Sequence, residues 1–176
     1  MLALYRLAER ASAGLAMIGA GAALLAGLIT CADIVIRNMG GQGILGTVDI
    51  TQLLIVVAAF FTIPYGFMTD SHVAVDVAVN ALPPRGRALA RFCAVALGGL
   101  LMLGIGWYGI GQAQTVAMMG DKSQTISLPM IWFWYPLLAG AFFAVAVVLV
   151  LMAWHLAALI SGDDRIPAVE HKGEIL

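Results

Sequence analysis

The feature that most constrains this chain is a set of four long stretches without a single charged residue. They cover residues 11–32, 50–69, 92–120 and 123–162. A helix needs about 20 apolar residues to cross roughly 30 Å of bilayer hydrocarbon, so each stretch is long enough for a membrane-spanning helix. The fourth is long enough for two, but no turn signal divides residues 129–160, and we predict one long helix there.

Composition supports a membrane protein. Hydrophobic residues make up 62% of the chain and charged residues 11%, with a mean hydropathy of +0.98. A soluble fold of this size could not hide that much apolar surface, and a net charge of −1 offers no basic surface to a nucleic acid. A soluble enzyme and a nucleic-acid binder are excluded. The apolar runs do not alternate as barrel strands do, which leaves an all-α integral membrane protein.

We predict a single four-helix membrane domain over residues 1–162, with spans at about 12–35, 49–69, 89–119 and 129–160. A polar cytoplasmic tail follows at 163–176. Seven of the nine basic residues lie before span one, between spans two and three or at the very start of span three, or after span four. By the positive-inside rule both termini are then cytoplasmic. Two short amphipathic helices in the membrane plane are predicted at residues 1–12 and 73–82.

The first span is predicted to be retained rather than cleaved. Its apolar run is longer than the core of a signal peptide. Leu28-Ile-Thr-Cys31 faintly resembles a lipoprotein cleavage box, but threonine before the cysteine is atypical there. Cys93 lies in a different span, near the opposite face, so the two cysteines are not expected to pair.

Four charged residues near the predicted outer ends of the helices are candidate partner contacts. Asp33 and Arg37 are four residues apart and share one helix face. They form either a functional contact or ion path, or a structural pair at the interface. Asp49 lies in the first turn of helix two, behind a predicted N-cap at Thr47. Lys122 lies in the third loop, and we expect it and Asp49 to be freer than the pair to reach a partner.

Two further groups are candidates for contacts. Gly19, Ala23 and Gly27 form a stripe of small residues along helix one, typical of close helix packing. His72 and Asp76 are four apart in the cytoplasmic loop, where a cap or a hydrogen bond is the expected role, because a metal site needs more ligands. No catalytic motif or phosphate loop appears. The sequence predicts no catalytic, cofactor or metal residue in this chain.

An ordered set of short motifs points to a known family. Asp33-Ile-Val-Ile-Arg37 closes helix one and Asp49-Ile-Thr opens helix two. The motifs that follow are Asp70-Ser-His72-Val-Ala-Val-Asp76, Leu82-Pro83 with Arg85 and Arg87, Ser127-Leu-Pro129, and Tyr135-Pro136-Leu-Leu-Ala-Gly140. From about residue 15 to 156 the chain resembles the small membrane subunit of tripartite ATP-independent periplasmic (TRAP) transporters. It departs from the family in having only one acid at Asp49 and a serine at Ser71.

The resemblance implies a non-catalytic scaffold subunit in the bacterial inner membrane. Its expected partners are a large permease subunit, which it braces, and a periplasmic substrate-binding protein, which it helps to dock. The assembly would import organic anions with sodium, and the sodium sites would belong to the large subunit, so this chain needs no cofactor.

Two other functions remain open from the residues. One is a membrane anchor for a haem or quinone redox enzyme, although two of the three histidines lie outside the spans and a bridging haem needs a ligand pair at matching depths. The other is a stand-alone small exporter that uses Asp33 as a proton site.

Overall fold

Four helices make up most of the structure, a computed structural model that describes residues 2–69 and 84–161. They are α1 (Leu2–Asn38), α2 (Thr47–Met68), α3 (Pro84–Met119) and α4 (Ile131–Ser161), and no strand forms within those two ranges. Each helix is long and apolar enough to cross a membrane. The predicted all-α class with four membrane-spanning helices is confirmed.

The first helix begins much earlier than the predicted span. Residues 2–12 are helical, as expected, but they continue into the span without a break instead of forming a separate in-plane helix. At 1.5 Å per residue, α1 is about 55 Å long, well beyond the roughly 30 Å of hydrocarbon. Its first turns pack on the bundle. The centroid of the Tyr5 ring lies 5.3 Å from the centroid of the Trp154 ring of α4. The other predicted in-plane helix, at 73–82, lies outside the described residues.

The helices pack in the order α1–α2–α4–α3. α1 packs mainly on α2, α2 on α4, and α4 on α3, with a smaller contact between α1 and α4. Within the described ranges, the backbones of α2 and α3 stay apart, although the Phe67 side chain of α2 reaches Gly98 of α3. The two central helices are therefore α2 and α4, while α1 and α3 form the edges. The main buried cluster comprises Tyr5, Phe67, Met68, Val95, Met102, Ala144, Val147, Val148 and Leu151.

Glycines set the spacing between neighbouring helices. A Cβ atom at Gly140 of α4 would collide with the backbone carbonyl of Phe60 on α2. On α1, a Cβ atom at Gly19 would lie 2.9 Å from Cγ2 of Thr62 and 3.0 Å from the Ala58 carbonyl oxygen. At both sites the helix backbones approach closely because no side chain intervenes.

Two loops lie at the same end of the bundle. The α1–α2 loop is residues 39–46 and the α3–α4 loop is residues 120–130. We call this the loop end. The opposite end carries the start of α1, so the loop end is where the predicted outer-face residues lie.

Candidate functional site

Asp33 holds the α1–α2 loop against the last turns of α1. Its Oδ2 accepts a 2.7 Å hydrogen bond from Nε of Arg37, which forms the ion pair that the four-residue spacing favours. Its Oδ1 accepts a hydrogen bond from the backbone N–H of Ile44, at 2.5 Å. One carboxylate therefore joins the helix end to the loop, while the Arg37 side chain remains more than half exposed.

Gly43 allows the loop to approach this ion pair. It adopts φ +78°, a backbone conformation that residues with a side chain rarely adopt. A Cβ atom there would lie 2.6 Å from Nε of Arg37 and 2.8 Å from Oδ1 of Asp33. Both the backbone angle and the space around it therefore favour glycine.

Asp49 holds the other loop. Its Oδ2 accepts hydrogen bonds from the Ser123 hydroxyl at 2.6 Å, from the Ile126 N–H at 2.9 Å and from the Thr125 N–H at 3.1 Å. Only 2% of Asp49 is exposed. The start of α2 is thus tied to the α3–α4 loop through a single buried carboxylate oxygen.

The α3–α4 loop folds back on itself around Ser123. The backbone N–H of Ser123 donates to the Leu128 carbonyl at 2.8 Å, and its hydroxyl accepts from the Leu128 N–H at 2.9 Å. The Met130 N–H donates to the Asp121 carbonyl, which closes the loop at its base. The turn includes Ser127 at φ +56°. These bonds give the loop a fixed shape.

Thr47 does not cap α2, contrary to the prediction. Gly46, at φ +85°, occupies the N-cap position, and the Thr47 hydroxyl donates to the Ile44 carbonyl instead. A Cβ atom at Gly46 would lie 2.5 Å from Cγ2 of Ile126. The helix starts on glycine because the α3–α4 loop packs directly over it.

The four predicted outer-face residues all lie at the loop end, but they differ in accessibility. Arg37 and Lys122 are exposed, whereas Asp33 and Asp49 are buried. We expected Asp49 to be freer than the Asp33–Arg37 pair, yet it accepts three internal hydrogen bonds. Contact of these residues with a partner stays a prediction.

The small-residue stripe is divided between two environments. Gly19 packs on α2, Ala23 is exposed, and Gly27 has no neighbour within 4 Å of where a Cβ atom would lie. Two glycines of α3 also pack within the chain: Gly98 meets Phe67 of α2, and Gly109 meets Leu138 of α4. Their contact with a partner also stays a prediction.

The remaining candidates carry no described site. His72 and Asp76 lie outside the described residues. Cys31 and Cys93 are free and exposed. Within 2–69 and 84–161, no group of three or more histidine, cysteine or acidic side chains is placed to hold a metal ion.

Ser123 is the functional-site residue that sequence reasoning missed. It lies 74 residues from Asp49, four residues before the Ser127-Leu-Pro129 motif of the same loop. A lone serine in a polar segment carries no signal of a specific partner.

Comparison with known families gives one match. The family model described as "Tripartite ATP-independent periplasmic transporters, DctQ component" matches residues 26–159, which is more than half of the chain. The matched region includes the α1–α2 loop and the α3–α4 loop, and it runs from the second half of α1 to near the end of α4. Comparisons with curated proteins and with solved structures find no match.

Proposed function

We propose, because the chain belongs to the DctQ family of tripartite ATP-independent periplasmic transporters, that it is the non-catalytic scaffold subunit of a sodium-coupled importer of organic anions. In this proposal it braces a large permease subunit and helps a periplasmic substrate-binding protein to dock. The observation that carries the docking role is the loop end, where two buried carboxylates each fix a loop.

The proposed orientation puts the loop end in the periplasm of a bacterial inner membrane. The start of α1 and the first turns of α3 carry five of the nine basic residues, and positive charge favours the cytoplasmic side. Both termini are then cytoplasmic. The two loops, with exposed Arg37 and Lys122, face the compartment in which a binding protein would arrive.

A preformed loop end suits docking. Loops that are already fixed lose little conformational entropy when a partner binds, so less of the binding energy is spent on ordering them. Asp33 and Asp49 provide that order here. Asp33 accepts two hydrogen bonds and Asp49 accepts three. Exposed Arg37 and Lys122 would steer the encounter with an acidic partner surface.

The bracing role is supported by the exposed edges of the helix row. Trp107 and Tyr108 of the edge helix α3 are 71% and 80% exposed. Leu24 and Leu28 of the other edge helix, α1, are also exposed. Lipid covers such surfaces readily, and so does another membrane protein.

Reconstitution tests the proposed function. Proteoliposomes with this chain, its large partner subunit and the binding protein should take up an organic anion when a sodium gradient is imposed. Leaving out this chain should abolish uptake, and this chain alone should transport nothing. Uptake by this chain alone would instead favour the stand-alone exporter, and a haem absorption band in the pure protein would favour the redox anchor.

Orientation needs its own measurement. A reporter fused after Leu176 should be active only in the cytoplasm. A Lys122→Cys variant that lacks Cys31 and Cys93 should react with a membrane-impermeant thiol reagent added from the periplasm. The opposite pattern would reverse the orientation.

A further inference from the structure

A cavity of about 310 Å³ opens on the side of the bundle between α2 and α3, close to the loop end. It lies where these two helices, which both pack on α4, keep their backbones apart. Gln52 and Val56 line it from α2, Val116 and Asp121 from the end of α3 and the loop that follows, and Trp134 and Leu137 from α4.

The two polar residues of the lining lie nearer the loop end than its deepest apolar residues. Asp121 and Gln52 lie at the loop end, whereas Val56 and Leu137 lie one to two turns deeper. At 1.5 Å per residue, Gln52 is about 7 Å and Val56 about 13 Å from the start of α2. The cavity is therefore mostly apolar, and its two polar side chains lie toward the loop end.

Its size limits what can enter. A helix is about 10 Å across, so a helical segment of a partner is too wide for a space of this volume. A hydrocarbon chain is much thinner, and it could contact Val56, Val116 and Leu137 of the lining. A phospholipid would place its polar headgroup at the loop end and extend an apolar acyl chain into the cavity.

The charges at the mouth indicate the headgroup. The side chains of Gln52 and Asp121 are exposed, and neither forms a hydrogen bond or ion pair with another described residue. The Asp121 carboxylate is complementary to an ammonium group. Lys122 follows it in the sequence; it does not line the cavity, but its exposed side chain is complementary to a phosphate outside the mouth. We propose that the cavity is a binding site for one acyl chain of a phospholipid with a primary-ammonium headgroup, drawn from the leaflet at the loop end.

Native mass spectrometry of the full chain tests this site. The purified protein is stripped of lipid and then given equal amounts of phosphatidylethanolamine and phosphatidylcholine with identical acyl chains. We expect one phosphatidylethanolamine to be retained in preference to phosphatidylcholine. Asp121→Asn should reduce that preference by about twofold to fivefold, as expected for one exposed ionic contact. Equal retention of both lipids by the unchanged protein would overturn the headgroup assignment.

Filling the cavity tests the acyl-chain site. Val56→Phe should abolish specific retention, and Val116→Phe, which fills the same space from α3, should do the same. Leu24→Phe, on the exposed face of α1, adds similar bulk away from the cavity and should retain lipid normally. Circular dichroism selects variants that remain folded. Retention by both folded cavity variants, or loss in Leu24→Phe, would overturn the proposal.

The assembled transporter gives the decisive comparison. If the large subunit filled the cavity with one of its own side chains, the purified complex would retain no lipid there, and Val56→Phe would weaken assembly. Either result would overturn the lipid site. Retention of the same phosphatidylethanolamine in the complex, with assembly of Val56→Phe intact, would support it.

Discussion

The carboxylate of Asp49 accepts a 2.6 Å hydrogen bond from the hydroxyl of Ser123, which lies 74 residues further along the chain. This bond connects the first turn of a central helix to the loop that joins α3 and α4. The same oxygen also accepts two backbone N–H groups of that loop. Because its own helix begins there, the carboxylate also lies at the favourable, positive end of the α2 dipole.

Removing this carboxylate should loosen the α3–α4 loop. Asp49→Ala leaves one hydroxyl and two backbone donors without their acceptor, and each unsatisfied donor costs about 1–3 kcal/mol where water cannot replace it. We expect the free energy of unfolding to fall by roughly 2–4 kcal/mol, since water can reach part of the loop. Circular dichroism during titration with sodium dodecyl sulfate measures this change, and limited proteolysis should detect faster cleavage within residues 120–130.

Two further variants show how much of the lost stability comes from the buried hydrogen bonds. Asp49→Asn keeps one carbonyl acceptor and should lose about half as much stability. Asp121→Ala removes an exposed acid on the same loop and should change stability by less than about 0.5 kcal/mol. Equal stability of Asp49→Ala and Asp121→Ala would mean that the buried hydrogen bonds do not hold the loop.

Gly43 and Gly40 offer a matched pair in the α1–α2 loop. Both have positive φ, +78° and +86°, so alanine is strained by about 1–2 kcal/mol at either position. Only at Gly43 would the new Cβ atom meet the Asp33–Arg37 ion pair, because nothing lies within 4 Å at Gly40. Gly43→Ala should therefore destabilise the protein by about 1 kcal/mol more than Gly40→Ala does. Thermal unfolding in mild detergent would show the difference, and coincident midpoints would disprove the steric role of Gly43.

The small-residue stripe on α1 can now be tested at positions with different surroundings. Gly19→Leu should destabilise the chain itself by about 1–3 kcal/mol, because Gly19 packs closely on α2. Gly27→Leu meets no neighbour in this chain, so it should leave unfolding unchanged. If the stripe contacts the large subunit, Gly27→Leu should reduce co-purification with that subunit by about tenfold, equivalent to 1.4 kcal/mol.

Gly21→Leu is the control for this experiment. Gly21 also has no neighbour within 4 Å, and it points away from the stripe, two residues from Gly19 on the same helix. It should affect neither unfolding nor co-purification. Normal co-purification of Gly27→Leu would remove the stripe from the interface.

The sequence predicted the number and class of the helices because apolar length is a property of each segment alone. It did not predict that residues 2–12 continue α1, since the same amphipathic pattern suits a helix in the membrane plane. The order of the helices depends on side-chain packing, such as Gly140 against Phe60, and these residues lie far apart in the sequence. The Asp33–Arg37 pair was predicted from local spacing, whereas the Asp49–Ser123 bond depends on the tertiary fold.

Lys122 is the exposed basic residue that best tests docking at the loop end. Unlike Arg37, it forms no ion pair with another described residue, so charge reversal there should leave the fold intact. If an acidic surface of the binding protein meets this end, Lys122→Glu should slow the encounter. We expect uptake to fall by about twofold to fivefold at limiting binding-protein concentration and to recover at saturation. Uptake by proteoliposomes over a range of binding-protein concentrations measures both effects.

Ionic strength and a control at the other end separate steering from general effects. The defect should shrink as salt rises, because the Debye length falls from about 10 Å at 0.1 M to 3 Å at 1 M. Arg10→Glu reverses an exposed charge near the start of α1, far from the loop end, and should leave the dependence on binding protein unchanged. If Lys122→Glu matches the unchanged protein at low salt and limiting binding protein, Lys122 takes no part in docking. If Arg10→Glu shows the same defect, the effect belongs to the net charge of the subunit and not to the loop end.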